Sequence, residues 1–402
     1  MITLVPLSGF LGAGKTTTLI SAAIALQRTG RRVAVVTNDH GRGLVDTQLT
    51  RGGLGDVAEV AGGCFCRRFE ELAALVLELT ESWHVDTVLV ETVGSCADLQ
   101  SSVLHPLRQV FRGRVAIAPL TAVVDPVRLD AFERAGAESP DADLAYLFGR
   151  QLAEADLLAI NKSDLMTHED LARLEARLAE EYPHAKVVTY SAATGAGMDD
   201  LLRAWSKGLD DAAAADIGGL AAIAAAVTPA GVSAAVRPPA SVIGAGSAAD
   251  GEYELDYARF SDAESQLAWL NQTFTLTPAL AAFDALAWGR ALLRHLSDWS
   301  AAAGYFVGHA KVAVRTPAGL AKLSLTAAGA APRADRSAAR PVDQGTVTLN
   351  VRVACPPVAL DHAVREAIDA ADAACRVIAD AEPPRSFRRV HPVPVHRLET
   401  VH

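Results

Sequence analysis

Apolar residues gather in short runs along this chain, and glycine-rich or polar stretches separate them. The first run, "ITLVPLS" (2–8), ends at a glycine cluster. Residues 16–29 place apolar side chains at helical spacing, and Gly30 follows as a stop. "RRVAVVTND" (31–39) reads as a second buried strand. Strand, glycine loop, helix and strand make a βαβ unit, which calls for a parallel sheet. Similar runs recur at 85–91, 120–125, 155–161 and 186–192, with helical spacing between them at 69–82 and 169–181. Residues 1–208 thus predict one doubly wound, mostly parallel α/β domain.

The pattern fails over 209–250, where Ala, Gly, Pro and Ser dominate and charge is sparse, a linker composition. The most apolar window, 217–236, falls here. It is mostly Ala and Gly, which gain little from lipid, so a linker is expected rather than a membrane span. Over 251–402 strands and helices mix. "EYELDYARF" (252–260) predicts a strand and 279–302 a helix. "HAKVAVRT" (309–316) and "LAKLSLT" (320–326) suggest a hairpin, followed by a strand over 345–354 and a helix over 358–380. A low-complexity break interrupts them at 327–341. This second, smaller domain reads as α+β, of ferredoxin-like type.

Bulk properties narrow the function. A chain of 402 residues, half of them apolar, supports two or three domains with large cores. A net charge of −10 argues against general nucleic-acid binding, which needs a basic surface. Five cysteines show no secreted-framework spacing, and the N-terminus lacks a basic signal-peptide region. A cytoplasmic protein with no membrane partner is the expectation.

The chemistry starts at "GFLGAGKTT". Gly9, Gly14, Lys15 and Thr16 have the spacing of a phosphate loop, between a predicted strand and a predicted helix. Backbone amides from Gly9 through Gly12, Ala13 and Gly14 to Thr17 would face phosphate oxygens, helped by the helix dipole. Lys15 would reach the β- and γ-phosphates, and the Thr16 hydroxyl would ligate Mg²⁺. "NKSD" (161–164) then selects the base. The Asp164 carboxylate matches the guanine donor pair that adenine lacks. Asn161 would face the purine edge, and the Lys162 stem would cover the ring. In "SAATG", Ser191 and the Ala192 N–H would meet guanine O6. GTP is therefore expected over ATP. The same two motifs speak against a small-molecule kinase.

"ETVG" ends a strand with Glu91, a candidate for holding Mg²⁺, and Gly94, a candidate γ-phosphate sensor. "TNDHGRGLVD" (37–46) leaves the same sheet edge and is polar and glycine-rich, as a switch must be, with Asp39 the candidate there for Mg²⁺ or water. No glutamine stands where one would position water, so slow hydrolysis is expected.

"GFLGAGKTT", "GGCFC", "ETVG" and "NKSD", in this order, resemble the CobW-type metallochaperone GTPases, relatives of the nickel-delivery GTPases of urease and hydrogenase. The resemblance covers residues 1–208 and implies GTP and Mg²⁺ as cofactors. It also implies a Zn²⁺, Co²⁺ or Ni²⁺ cargo and a client metalloenzyme or corrinoid protein bound by the C-terminal domain, and it leaves a homodimer open. It places the family's metal motif on Cys64 and Cys66. That motif is usually C-x-C-C, and Arg67 stands in the third place here. Two thiolates are too few for a closed zinc site. Cys96, just past Gly94, is the candidate third, and Arg67 and Arg68 are expected to favour thiolates. The alternative is a GTP-regulated remodeller of a cobalamin or corrinoid enzyme that carries no metal.

Overall fold

A computed structural model of the chain describes residues 2–39, 57–61, 64–81, 83–134, 139–206, 256–337 and 340–388. The N-terminal part begins with β1 (Ile2–Ser8), α1 (Lys15–Arg28), β2 (Val33–Asp39), β3 (Val57–Ala61), α2 (Phe69–Glu81) and β4 (Thr87–Glu91). A π-helical turn over 100–104 leads into α3 (His105–Val110). Then follow β5 (Val115–Ile117), β6 (Thr121–Val124), α4 (Pro126–Arg134), α5 (Ala142–Ala153), β7 (Leu157–Ile160), α6 (His168–Glu181) and β8 (Lys186–Thr189).

These strands form one parallel sheet in the order β3-β2-β4-β1-β6-β7-β8, with β5 also pairing β1. Central strands are buried throughout and mostly apolar because helices cover both faces. The chain reverses direction across the sheet around β1, and the crevice at the carboxyl ends of the strands there is where such sheets bind ligands. Register sets the site. Leu7 pairs Glu91 and Val124 pairs Ile160, so Glu91, Asp125 and Asn161 leave the sheet level with the loop after β1.

The second part holds α7 (Tyr257–Gln266), β9 (Leu267–Pro278), α8 (Ala285–Ala303), β10 (Val307–Thr316), β11 (Gly319–Leu325), β12 (Arg333–Arg336), β13 (Gly345–Ala354), α9 (Pro357–Cys375), β14 (Val377–Asp380) and β15 (Phe387–Arg388). Its sheet is antiparallel, in the order β12-β11-β10-β13-β9-β14, with β15 also against β9. Omitting β11 and β12, the path β9-α8-β10-β13-α9-β14 has the ferredoxin-like strand order. The two extra strands extend the β10 edge.

The sequence patterns mislead at four places. The run 252–260 is not a strand where it is described: Asp256 caps a helix by accepting the Ala258 and Arg259 N–H groups at 3.0 Å. Tyr257, Phe260 and Ala263 then recur at helical spacing. Strand β9 escapes notice because its first four residues are all buried and do not alternate. The second predicted helix over 358–380 stops at Arg376, which takes a left-handed φ of 56°, and its last residues become β14. The break at 327–341 contains β12, an exposed edge strand.

Arg128 on α4 joins the two parts. Its guanidinium donates to the carbonyls of Val307, Gly308 and Thr326 at 3.0, 2.9 and 2.6 Å. It also lies over the Phe306 ring at 4.5 Å, and Phe306 stacks on Phe132. Burial lowers its pKa only to about 10, so the charge persists at neutral pH. Among the described residues, no helix is long and apolar enough to cross a membrane. The window 217–236 lies outside them.

Candidate functional site

The loop after β1 enters α1 through Gly14, whose φ of 100° suits glycine. A Cβ at Gly14 would stand 2.4 Å from Asn161 Nδ2. That closeness has a use: Asn161 Nδ2 donates to Ala13 O at 2.9 Å, and its Oδ1 accepts the Ala192 N–H at 2.9 Å. Asn161 thus ties the phosphate loop to the "SAATG" loop. Ala192 N–H is correspondingly committed to Asn161 and not turned to a guanine oxygen. Ser191 is also engaged: its hydroxyl donates to Asp164 Oδ1 at 2.5 Å. The Asp164 carboxylate is exposed, with that hydroxyl fixing it from behind. The Lys162 ammonium pairs with Asp125 at 2.5 Å and donates to Gly12 O at 3.2 Å, which holds the head of the side chain at the phosphate loop.

At the other end of the loop, Lys15 Nζ donates to Gly9 O at 2.7 Å and Phe10 O at 3.2 Å. Thr16 and Thr17 line the same cavity as Lys15. The Thr16 hydroxyl donates to both Glu91 oxygens, at 3.0 and 2.9 Å. A hydroxyl and a carboxylate in one place are hard oxygen donors that suit Mg²⁺. Gly94 packs against the loop so closely that a Cβ would lie 2.7 Å from Leu11 Cδ2. Asp39 ends β2, but its side chain and the stretch 40–46 lie outside the described residues. Asn38, which the sequence reading passed over, lines the cavity with both side-chain polar atoms buried and without a partner among the described residues.

The three thiols come together. Cys64 Sγ is 2.7 Å from Cys96 Sγ and 2.9 Å from Cys66 Sγ, all three buried and free of disulfides. A tetrahedral zinc with Zn–S bonds of about 2.3 Å holds sulfurs about 3.8 Å apart. The donor type suits a soft ion, while the spacing is tighter than a loaded site, and no group of three or more His, Cys, Asp or Glu among the described residues is set to hold a metal. The Cys64 thiol and burial hold the Cys96 pKa well above its usual range. The two arginines do not oppose this: Arg67 is exposed, and Arg68 pairs with Glu71 at 2.5 Å. Metal uptake at Cys96 would therefore release a proton.

Two residues outside every motif hold the thiol turn. Gln151 on α5 donates to Gly94 O at 3.0 Å and Cys96 O at 2.8 Å. Glu264 on α7, only 1% exposed, accepts the Ser95 hydroxyl at 2.7 Å. Both contacts join segments far apart in the chain, so no local spacing marks them. The cavity over the phosphate loop has a volume of about 390 Å³ and is walled on one side by β10 and β11, with His309, Lys311 and Lys322.

Three comparisons bear on this site. A family described as CobW/HypB/UreG, nucleotide-binding domain, matches residues 3–189. The zinc chaperone CobW of Pseudomonas aeruginosa is 33% identical over 217 residues, covering 46% of this chain and 55% of that protein. The zinc chaperone YjiA of Escherichia coli is 29% identical over 185 residues, covering 42% and 54%. A crystal structure of Zn(II)-bound YjiA GTPase from E. coli aligns over 93% of this chain and 99% of its own at 16% identity, with a TM-score of 0.32. The chain spans about half the length of the curated relatives it matches.

Proposed function

We propose, starting from the match of residues 3–189 to the CobW/HypB/UreG nucleotide-binding domain, that this chain is a slow GTPase. Its nucleotide state governs delivery of a transition metal to a client metalloenzyme. The observation that carries the reading is the segment 91–96. Glu91 touches Thr16 at the phosphate loop, Gly94 lies against Leu11, Ser95 binds Glu264, and Cys96 meets Cys64. One short turn therefore touches the nucleotide cradle, the thiols and the C-terminal domain.

The roles follow from position. The loop amides and Lys15 bind phosphate. Thr16 and Glu91 would hold Mg²⁺, which when bound neutralises charge on the phosphates. Asp164, held by Ser191, reads guanine, and Asn161 and Lys162 hold the loops that frame the base. Gly94 would sense a terminal phosphate, and Asp39 is the candidate for its water. Cys64, Cys66 and Cys96 carry the cargo, with their sulfurs parting by about 1 Å around a zinc-sized ion. The names of the curated relatives support zinc as that cargo. We place the protein in the cytoplasm and the client on the C-terminal domain.

The test is metal content of the full chain purified with a non-hydrolysable GTP analogue, alone and as Cys64→Ser and Cys96→Ser. One equivalent of zinc in the parent and loss in both variants, with GTP binding kept and ATP binding absent by calorimetry, is the expected outcome. Zinc retained in both variants would place the cargo elsewhere.

A further inference from the structure

The wall that the C-terminal domain lends to the cavity contains a group that nothing described so far employs. His309, on β10, is 5% exposed and lines the cavity together with Lys15 and Glu91. Its Nδ1 is enclosed without a hydrogen-bond partner among the described residues. An enclosed polar atom left unsatisfied is costly, and a turn of the ring that brings it to a ligand oxygen in the cavity would remove that cost. The surroundings say what kind of ligand. Burial, and then the positive charges of Lys311, Arg352, Lys15 and Arg128, hold the ring neutral. A neutral donor inside a ring of fixed cations suits an anion.

Position narrows the anion further. The strand carrying His309 is pressed onto the phosphate loop: a Cβ at Gly308 would lie 2.7 Å from Leu11 Cδ1, and one at Gly12 would lie 2.9 Å from Thr326 Cγ2. Lys15, whose charge reaches His309, marks the β,γ end of a bound triphosphate. Asp164 and Ser191 mark the base end. His309 therefore belongs with the terminal phosphate.

We propose that His309 is a phosphate-contacting residue, which donates an imidazole N–H to the γ-phosphate oxygen of the bound triphosphate and so lets the C-terminal domain distinguish tri- from diphosphate. This rests on the guanine-nucleotide reading above. It adds a cross-domain contact in cis, made by a side chain more than 290 positions from Lys15 in the sequence. With γ-phosphate present, β10 gains a partner, and after hydrolysis it loses one. The docking of the C-terminal domain is thereby tied to the nucleotide state.

The experiment is calorimetry on the full chain with Mg²⁺, titrating GDP and the imido analogue of GTP into wild type, His309→Phe and His309→Leu, neither of which keeps a side-chain donor. Both variants are expected to bind the triphosphate analogue about ten- to 100-fold more weakly, the effect of one hydrogen bond to a charged group. GDP affinity should stay at the wild-type value, which also reports that the variants fold. An unchanged ratio of the two affinities, or an equal loss of both, overturns the assignment of His309 alone. A wild-type chain that binds neither nucleotide overturns the guanine-nucleotide reading, and this inference with it.

Discussion

Asn161 spends its amide on two backbone partners, the Ala13 carbonyl and the Ala192 N–H, and so ties two loops of the cavity together. "NKSD" was legible as a motif because its residue types and spacing are local. The partition of labour inside it was not, because it depends on loops that meet only in three dimensions. The same holds for Glu154, which no motif flags. Its carboxylate accepts the Leu99 N–H at 2.6 Å, and its Oε1 is enclosed without a partner among the described residues. Burial first, then the nearby Asp98 charge, pushes its pKa up to about 8 from an ordinary 4.5. The folded protein thus keeps a proton here that the unfolded chain releases. Stability from this group is complete below pH 4.5 and declines as pH rises to 8. Glu154→Gln keeps an acceptor for Leu99 and removes the titration. Denaturant midpoints at pH 5.5 and pH 8 should fall in wild type and differ less in the variant. An identical fall in both would show that the decline comes from other groups.

Among the elements, the phosphate loop shows most plainly how local sequence sets local structure. Strand β1, the glycines and helix α1 were all readable because each has a short-range signal: an apolar run, residues tolerant of positive φ, and helical spacing. Gly14→Ala tests the loop itself. The new Cβ would meet Asn161 Nδ2 at 2.4 Å on a backbone with φ of 100°. A loss of about 1–3 kcal/mol of stability is expected, together with loss of nucleotide binding, by chemical denaturation and calorimetry. Wild-type affinity in that variant would remove the loop from the site. Elements of the C-terminal domain were less legible. Strand β9 lies between β13 and β14, is buried from its first residue, and so lacks the alternation that betrays a half-exposed strand. Helix α7 hides its start in Asp256, an N-cap recognisable only once the preceding stretch is not read as a strand. His309 sits inside "HAKVAVRT", which reads as an ordinary strand, and its facing onto the phosphate loop follows from the docking of two domains.

For the whole molecule, the two sheets, their connection by Arg128 and the shared cavity form one device. Phosphate loop, thiol turn and C-terminal domain all touch the segment 91–96, which supplies the packed path that the proposed coupling needs. The two sheets were visible in the sequence as two different patterns on either side of 209–250, a stretch that lies outside the described residues. The convergence of Cys64, Cys66 and Cys96 was suggested by Cys96 following Gly94, and the structure brings the three sulfurs within 2.9 Å of a shared centre at Cys64. The role of Glu264 on the far side of that turn had no sequence signal at all. The most direct check is the zinc affinity of the full chain, measured by competition with a chromogenic chelator, once with Mg²⁺ and the imido analogue of GTP and once with GDP. Coupling through a packed two-state turn should separate the two affinities by about 5- to 150-fold. Equal zinc affinity in both nucleotide states would contradict the link between phosphate and thiols.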